Sequence, residues 1–467
     1  MELGVDYGEN IKALRSAIAA DESFDIIERH LEVAGRDMTF FYIDGFVKDG
    51  EMQRVMQTLL SERTAATAEE IVRRLPYVEV EISGDLSRIV RFVLSGQTAV
   101  IGESFRGEVI LVDARSYPAR STAEPDSDRV MQGSHDGFVE TLVVNTALIR
   151  RRVRDPRLRM KYIGLEGVSR TDIALCYMEG VADPRLVADI TERLGKIKPR
   201  SLTLGFQSLA ESLIRRGWLN PFPKIRTTER PDTAAAQLVE GSVLVICDNS
   251  PQVMILPTSI FAYLQQADDY YFPPLTGSYL RIVRTAILFL SVFVTPLWYL
   301  YLEYADMLPE VLRFLIPEDP GALPIILQLV LAEVAIDGLK IASMNTPDSL
   351  SNSLSIVGGL ILGDFAVSVG WLCPDVILYM AFVAIANFAQ QNHELGYAFK
   401  FTRLLILVFV FGFGVWGLIL GTLVFIFAVA TNITVTGKRH YLYPLIPFDA
   451  RAMKRILFRT RKDDFEE

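Results

Sequence analysis

The sequence predicts an α/β cytoplasmic domain of two similar modules, followed by an α-helical polytopic membrane domain. Residues 1–275 have the mixed composition of a soluble protein, whereas residues 285–431 contain nearly all of the long apolar runs. Strand and helix patterns alternate in the first part, which is typical of α/β domains. Apolar runs in the second part approach the ~20 residues that a helix needs to cross a bilayer.

The composition argues against several classes of protein. The 467 residues carry a formal net charge of −9, which disfavours nucleic acid as a partner. Cys176, Cys247 and Cys373 are widely spaced, so neither a disulfide framework nor a metal site is predicted. The sequence has no phosphate loop, HExxH or GxSxG motif, and we therefore expect neither an enzyme nor a cofactor. The acidic N-terminus has no apolar core, so we expect no signal peptide and a cytoplasmic N-terminal domain.

Two stretches of similar pattern suggest a duplicated module. The sequence YIDG at residues 42–45 is echoed by YMEG at residues 177–180. Residues 93–104 are echoed in the same order by residues 238–250, and each stretch is followed by another short strand pattern. We therefore expect modules at residues 1–119 and 160–258. Chance similarity of short strand–turn pieces is the alternative.

Residues 120–159 are expected to connect the two modules. They begin as a polar loop and turn into a helix from about Gly137. The run of Arg150, Arg151 and Arg152 opens the most basic patch of the chain. It fits either a solvated helix end or a contact with a neighbouring subunit or with lipid headgroups.

The membrane half is expected to begin with an amphipathic interface segment at residues 259–284. Arg281 and Arg284 precede the first apolar run, so they favour a cytoplasmic start and a headgroup or interface contact. The expected membrane segments within residues 285–431 are 285–302, 323–342, 354–372, 375–389 and 404–431.

For the basic tail, residues 432–467, the charge and the expected number of membrane crossings predict opposite sides of the membrane. Its charge favours the cytoplasm, whereas five crossings from a cytoplasmic start would put it outside. We resolve the conflict by expecting the glycine-rich segment 354–372 to be re-entrant, that is, only partly inserted.

Charged residues in the apolar run 323–342 predict a polar path. Glu333, Asp337 and Lys340 are spaced i, i+4 and i+7, so they share one face of a helix. An ionised group near the bilayer centre costs at least about 2.5–3.5 kcal/mol, so these three should face protein or water. The alternative is structural, with Glu333 or Asp337 paired to Lys340 or to an arginine inside the helix bundle.

The remaining residues of this expected ion path follow in sequence. Asn345, Ser355 and Asp364 are polar groups near or inside the next apolar run. Lys340 is the expected charge partner of the acids. Gly358, Gly359 and Gly363 are expected to allow close helix packing or pore flexibility.

Four landmarks resemble the A-subunits of bacterial spore germinant receptors, the GerA family. These landmarks are GSHDGFVETLVVNTALIRRR from Gly133, QQADDYYFPPLTGSYLRIVR from Gln265, LAEVAIDGLKIASMNTP from Leu331 and the closing YLYPLIPFD from Tyr441. The GFVKD stretch from Gly45 and the closing landmark point to a stage V sporulation branch of the family. The sequence departs from the nutrient-receptor pattern at residues 340–342, which read Lys-Ile-Ala instead of Arg-Glu-Ala.

The resemblance implies a location and an assembly that composition does not supply. It implies a multi-pass protein of the spore inner membrane, assembled as a homo-oligomeric ring, in the family a pentamer. It also implies conduction of small monovalent cations during germination, with other germination membrane proteins as partners. A secondary transporter, whose broken helices carry acids at the midplane, and a non-conducting receptor scaffold are the alternatives.

Overall fold

A computed structural model of the protein describes most of the chain. The described residues are 2–75, 77, 79–116, 133–165, 171–197, 205–214, 217, 219–307, 309–346, 358–360, 363, 365–390, 392–436 and 441–459. The chain divides into two units. The N-terminal unit is Met1–Arg215 with Ile225–Thr258, and the C-terminal unit is Arg216–Lys224 with Ser259–Glu467.

The first part of the N-terminal unit is an antiparallel sheet with helices on both faces. Its strands are β1 (Ile26–Val33), β2 (Arg36–Ile43), β3 (Val80–Ser83), β4 (Thr98–Gly102) and β5 (Val109–Val112), in the order β1-β2-β4-β5-β3. Its helices are α1 (Tyr7–Ile18), α2 (Asp49–Leu60), α3 (Ala68–Arg74) and α4 (Leu86–Leu94).

The alternation of side chains along β2 explains why both faces of this sheet are covered. Phe40 and Phe41 are both fully buried, although neighbouring strand residues point to opposite faces. Phe40 packs in the cluster that contains α2 and α3, and Phe41 packs in the cluster that contains α1 and α4. The run MTFFYI is therefore buried apart from the half-buried Tyr42, because each face of the sheet has its own helical layer.

The second part of the N-terminal unit is another antiparallel five-stranded sheet. Its strands are β6 (Leu158–Gly164), β7 (Asp172–Met178), β8 (Arg226–Thr228), β9 (Val243–Cys247) and β10 (Val253–Leu256), in the order β6-β7-β9-β10-β8. Its helices are α5 (Leu142–Arg152), α6 (Pro184–Lys196), α7 (Gly205–Leu213) and α8 (Pro231–Val239).

The two sheets have the same strand order when the strands of each are counted from its own start. The YIDG sequence begins with the last two residues of β2, and the YMEG sequence begins with the last two residues of β7. These are the second strands of their sheets. Gly45 and Gly180, which end these sequences, have φ values of +77° and +75°. Common descent of the two parts by duplication remains a prediction.

Helix α5 joins the two parts through a buried ion pair. Arg150 is fully buried, and its Nε donates to Asp25 Oδ2 at 2.7 Å. Ala147 packs with the first sheet, whereas Leu148 packs with the second.

Arg152 is half-buried beside Asp136, with 2.6 Å between Nη2 and Oδ1. The prediction of a surface or headgroup contact by Arg150 is therefore wrong, because Asp25 compensates its charge inside the fold. Arg151 is half-buried and also has an interaction partner.

The C-terminal unit is helical. Its main helices are α9 (Pro274–Glu303), α10 (Ile325–Met344), α11 (Pro374–Phe388), α12 (His393–Phe413), α13 (Val415–Ala430) and the shorter α14 (Ala450–Leu457). Short helical turns lie at Ile260–Leu264, Asp268–Tyr271, Ala305–Met307, Glu310–Leu315 and Ala366–Ser368.

Within the described part of the chain, two helices are long and apolar enough to cross a membrane by length and composition. They are α9 and α12, and the shorter α11 and α13 are also apolar. The twenty residues of α10 include the three charges at Glu333, Asp337 and Lys340.

The structure differs from the expectation of one long helix over residues 404–431. Helix α12 ends at Phe413 and α13 begins at Val415, with Gly414 between them at a φ of +55°. The two helices then pack very closely, since a Cβ on Gly417 would lie 1.9 Å from the backbone oxygen of Phe409. Glycine therefore makes both the turn and the close approach possible, and the apolar run is a helical hairpin.

Candidate functional site

An ion-paired cluster joins α10 to α12. Glu333 and Asp337 extend from one face of α10, as their spacing predicts. Lys400 and Arg403, spaced i and i+3 on α12, face them. Arg403 Nη2 lies 2.6 Å from Glu333 Oε2, and Lys400 Nζ lies 3.1 Å from Glu333 Oε1. Lys400 also pairs with the carboxylate of Asp337.

The two acids differ in their access to solvent. The side chain of Glu333 is 5% exposed, whereas that of Asp337 is 35% exposed. The Arg403 guanidinium is 1% exposed and also donates to the backbone oxygen of Ser291 on α9 at 3.3 Å. Glu333 is therefore held between two cations inside the bundle, while Asp337 keeps an open side.

Lys340 is not the charge partner that the sequence predicts. Its ammonium lies 4.9 Å from the centroid of the Tyr397 ring and 5.9 Å from that of the Phe388 ring. Among the described residues, no carboxylate lies within ion-pair distance of Lys340. The cations that pair with the two acids are Lys400 and Arg403. Aromatic faces stabilise the cation through their quadrupoles, so Lys340 is accommodated without a counter-charge.

A small pocket opens among α10, α11 and α12. Its volume is about 30 Å³, which is room for about two water molecules. Its polar lining is supplied by Glu333, Asp337, Lys340, Asn387, His393 and Lys400. Among the described atoms, Asn387 Oδ1 is buried and has no hydrogen-bond partner, so it is an acceptor that a water or a small cation could use. The pocket is lined by both signs of charge and is large enough to hold water.

Among the described residues, Asn345, Gly358, Gly359 and Gly363 do not line this pocket. Asn345 caps the C-terminal end of α10 and is exposed. Gly358 packs against α10, since a Cβ there would lie 2.2 Å from Leu339 Cδ2. Gly359 and Gly363 have open space at the position of a Cβ within the described chain. Ser355 and Asp364 lie outside the described residues.

The expected interface arginines also have internal partners. Asp269 is fully buried, and its Oδ2 accepts from Arg281 Nε at 3.2 Å, while its Oδ1 lies 3.1 Å from Arg284 Nη2. The Arg281 side chain is 1% exposed and that of Arg284 is 10% exposed. A headgroup contact is therefore wrong for Arg281, because the neighbouring turn Asp268–Tyr271 supplies its counter-charge.

Sequence reasoning allowed for an arginine partner inside the bundle but did not identify Lys400 or Arg403. Lys400 and Arg403 stand directly before the expected membrane segment 404–431 and were not assigned to the site. The two cations are three residues apart and the two acids are four residues apart, so each pair lies on one face of its helix. The opposite charges of these two faces were the signal available in the sequence. His393 and Asn387 were not assigned, because nothing local in the sequence connects them to α10.

The two units define a class of protein: an α/β domain joined to a bundle of apolar helices that contains ion-paired charges. Residues 12–467 match the family model described as Bacillus/Clostridium GerA spore germination protein. The chain therefore belongs to the GerA family of spore germination proteins.

Two relatives from Bacillus subtilis agree with this assignment. The chain is 36% identical to stage V sporulation protein AF of Bacillus subtilis over 97% of this chain and 92% of that protein. It is 28% identical to spore germination protein KA of the same organism, over 94% and 82%. The expected resemblance to the stage V branch is thus confirmed. The crystal structure of the N-terminal domain of the A subunit of the Bacillus megaterium spore germinant receptor GerK3 matches 55% of this chain and 96% of that chain, at 24% identity and a TM-score of 0.42.

Proposed function

We propose that this chain is a subunit of an oligomeric membrane channel that releases small monovalent cations during spore germination. The observation that carries the proposal is the difference between the two acids of α10. Glu333 is fixed in a buried ion pair, whereas the Asp337 carboxylate is 35% exposed and lines a pocket large enough for water. Acidic side chains lining a water-filled path select cations over anions.

Symmetry would strengthen this selectivity. One carboxylate attracts a cation modestly in water, but a ring of identical subunits repeats the charge around one axis, and the reduced dielectric of a narrow path increases the interaction. We propose a homo-oligomeric ring, pentameric as in the resemblance that the sequence carries. Lys400 orients both acids from the neighbouring helix, while Asp337 and Asn387 line the pocket.

We further propose a multi-pass topology with the N-terminal unit in the cytoplasm and the chain in the spore inner membrane. The crossings would be α9, α10, residues 354–372, α11, α12 and α13. The hairpin at Gly414 adds one crossing to the five that the sequence suggested, so segment 354–372 need not be re-entrant. This even number returns the basic C-terminal tail to the cytoplasm, in agreement with its charge.

A non-conducting scaffold of the germination apparatus is the second candidate. The observation that favours it is that both acids of the cluster have cationic partners within the same chain. Buried ion pairs often serve the specificity of helix packing and take no part in transport. In that case the partners would be other germination membrane proteins, held together by the helical bundle.

Recordings of the purified full-length protein in a planar bilayer separate these functions. Discrete current steps carried by cations support the channel. Flux coupled to a second solute without unitary steps would indicate a secondary transporter, and silence of a folded, reconstituted oligomer would favour the scaffold. The mass of the detergent-solubilised complex tests the pentamer, because one subunit has a mass of 52.4 kDa.

A further inference from the structure

The closing landmark of the sequence and α14 form a surface beside the first turns of α9. We call this surface the C-terminal rim and define it as residues 441–458. Arg281 Nη1, on α9, donates to the backbone oxygens of Arg455 and Ile456 at 2.9 Å each. The backbone N–H of Arg459 donates to Ser278 Oγ at 2.9 Å. The rim is therefore attached to the start of a helix that is long and apolar enough to cross a membrane.

Further hydrogen bonds give the rim a defined conformation. Tyr441 is 1% exposed, and its backbone oxygen accepts from the N–H of Ile260 at 2.9 Å. Asp449 caps α14 by accepting from the backbone N–H groups of Arg451 and Ala452 at 3.0 Å each. The Tyr443 hydroxyl donates to Asp449 at 3.0 Å. The Asp449 carboxylate therefore accepts hydrogen bonds from within the rim, at the N-terminal end of α14.

The outer face of the rim combines apolar and basic side chains. Leu445, Ile446 and Phe448 are 46%, 60% and 70% exposed. Arg451, Lys454 and Arg455 follow on α14 and are exposed as well. An aqueous surface would disfavour this apolar exposure, and a purely hydrocarbon one would disfavour the charges. The combination is typical of the boundary between lipid headgroups and acyl chains.

We propose that the C-terminal rim is a binding surface for anionic phospholipid. Phe448 and its apolar neighbours insert at the level of the headgroups, and Arg451 and Lys454 bind the phosphate groups. Basic residues at an anionic membrane surface each contribute about fivefold in affinity for that surface. The inference requires that α9 enters the membrane, but it does not depend on ion conduction.

Lipid-specific fluorescence quenching tests the proposal on the full-length protein. The variant Phe448→Cys is labelled with an environment-sensitive fluorophore and reconstituted in phosphatidylcholine nanodiscs. Cys176, Cys247 and Cys373 are buried, so labelling is confined to the introduced thiol. Trace spin-labelled phosphatidylglycerol and spin-labelled phosphatidylcholine are then compared as quenchers at equal mole fraction. Ile446→Cys provides a second reporter if Phe448→Cys does not fold.

We expect phosphatidylglycerol to quench several-fold more strongly than phosphatidylcholine. Arg451→Gln combined with Lys454→Gln should reduce this ratio to near one, and 1 M salt should do the same because it shortens the screening length to about 3 Å. The matched control, Arg54→Gln with Arg73→Gln, removes two exposed charges from the N-terminal unit and should leave the ratio unchanged.

Three outcomes would overturn the proposal. If neither lipid quenches the reporter, the rim does not contact the membrane and a protein partner is the better occupant. Equal quenching by both lipids would show membrane contact without anionic preference. A ratio retained in the Arg451→Gln, Lys454→Gln variant would mean that these basic side chains do not select the lipid.

Discussion

The Arg403 guanidinium of α12 lies 2.6 Å from the Glu333 carboxylate of α10, and the two side chains are 1% and 5% exposed. At this distance and burial each charge depends on the other, because water cannot replace the missing partner. The pair therefore fixes α10 against α12, and it holds Asp337, one helical turn further along, beside the pocket among α10, α11 and α12.

Glu333→Gln should destabilise the helical bundle strongly. The change leaves Arg403 buried without its counter-charge, which typically costs about 3–5 kcal/mol. We expect a clear fall in the thermal midpoint of the detergent-solubilised protein and a loss of folded material in size-exclusion chromatography. Adding Arg403→Met should restore much of the loss, because it removes the uncompensated charge and leaves Lys400 with Asp337.

Glu310→Gln is the control for this experiment. Glu310 is 87% exposed and lies 3.8 Å from Arg313 in a surface pair. Exposed substitutions of this kind usually change stability by no more than about 0.5 kcal/mol. Equal behaviour of Glu333→Gln and Glu310→Gln would contradict the role assigned to the buried pair.

Residues 1–264 expressed alone should form a soluble α/β protein. The three core clusters built on β1–β10 lie entirely within residues 1–258, so the fragment contains its own apolar core. Circular dichroism and a cooperative urea transition would show this fold. Recovery only as unfolded aggregate, at several nearby end points, would count against the domain boundary.

Gly45→Ala should destabilise this fragment more than Gly180→Ala. Both glycines have φ near +75°, where alanine costs about 1–2 kcal/mol. A Cβ on Gly45 would also lie 3.1 Å from Val143 and 3.2 Å from Ala147 on α5, whereas a Cβ on Gly180 meets nothing within 4 Å in the described chain. Overpacking adds about 1–3 kcal/mol at Gly45 only. Urea midpoints measure both variants, and equal shifts would argue against close packing of α5 on the first sheet.

The native cysteine Cys247 should resist thiol reagents in the folded protein. Burial disfavours the thiolate and raises the pKa of Cys247 to about 12. At pH 8 about one molecule in ten thousand would carry the thiolate, compared with about a quarter for an exposed cysteine of pKa ~8.5. Maleimide labelling should be slow in buffer and rapid in urea. Val5→Cys, at a position 73% exposed, is the reactive control. Rapid labelling of Cys247 in buffer would show that β9 opens readily.

The sequence predicted local features of the fold more completely than distant ones. The helix that follows Asp85 is recognisable in the sequence alone, because its cap and its apolar spacing lie within ten residues. Strand β1 was not predicted, since its sequence IIERHLEV places charged residues on an edge strand with a partly exposed face. The antiparallel order of each sheet depends on contacts between distant segments, which local patterns do not encode.

The candidate site shows the same limit. The spacing of Glu333 and Asp337 predicted a common helix face, and the structure places both acids there. Their partners Lys400 and Arg403 are far away in sequence, so the nearer Lys340 was chosen in their place. The turn at Gly414 was hidden because a single glycine in an apolar run also occurs inside continuous helices.

The conductance of the Asp337→Asn variant tests the proposed cation path most directly. Purified wild-type and variant proteins are recorded in planar bilayers under a potassium chloride gradient, with Asp189→Asn, a surface change on α6, as the control. We predict discrete cation-selective openings for the wild type. In Asp337→Asn, conductance should fall by about twofold or more and the reversal potential should move towards zero, because a path-lining charge is removed while oligomer size is unchanged. Unaltered conductance and selectivity in Asp337→Asn would contradict a cation path past this carboxylate.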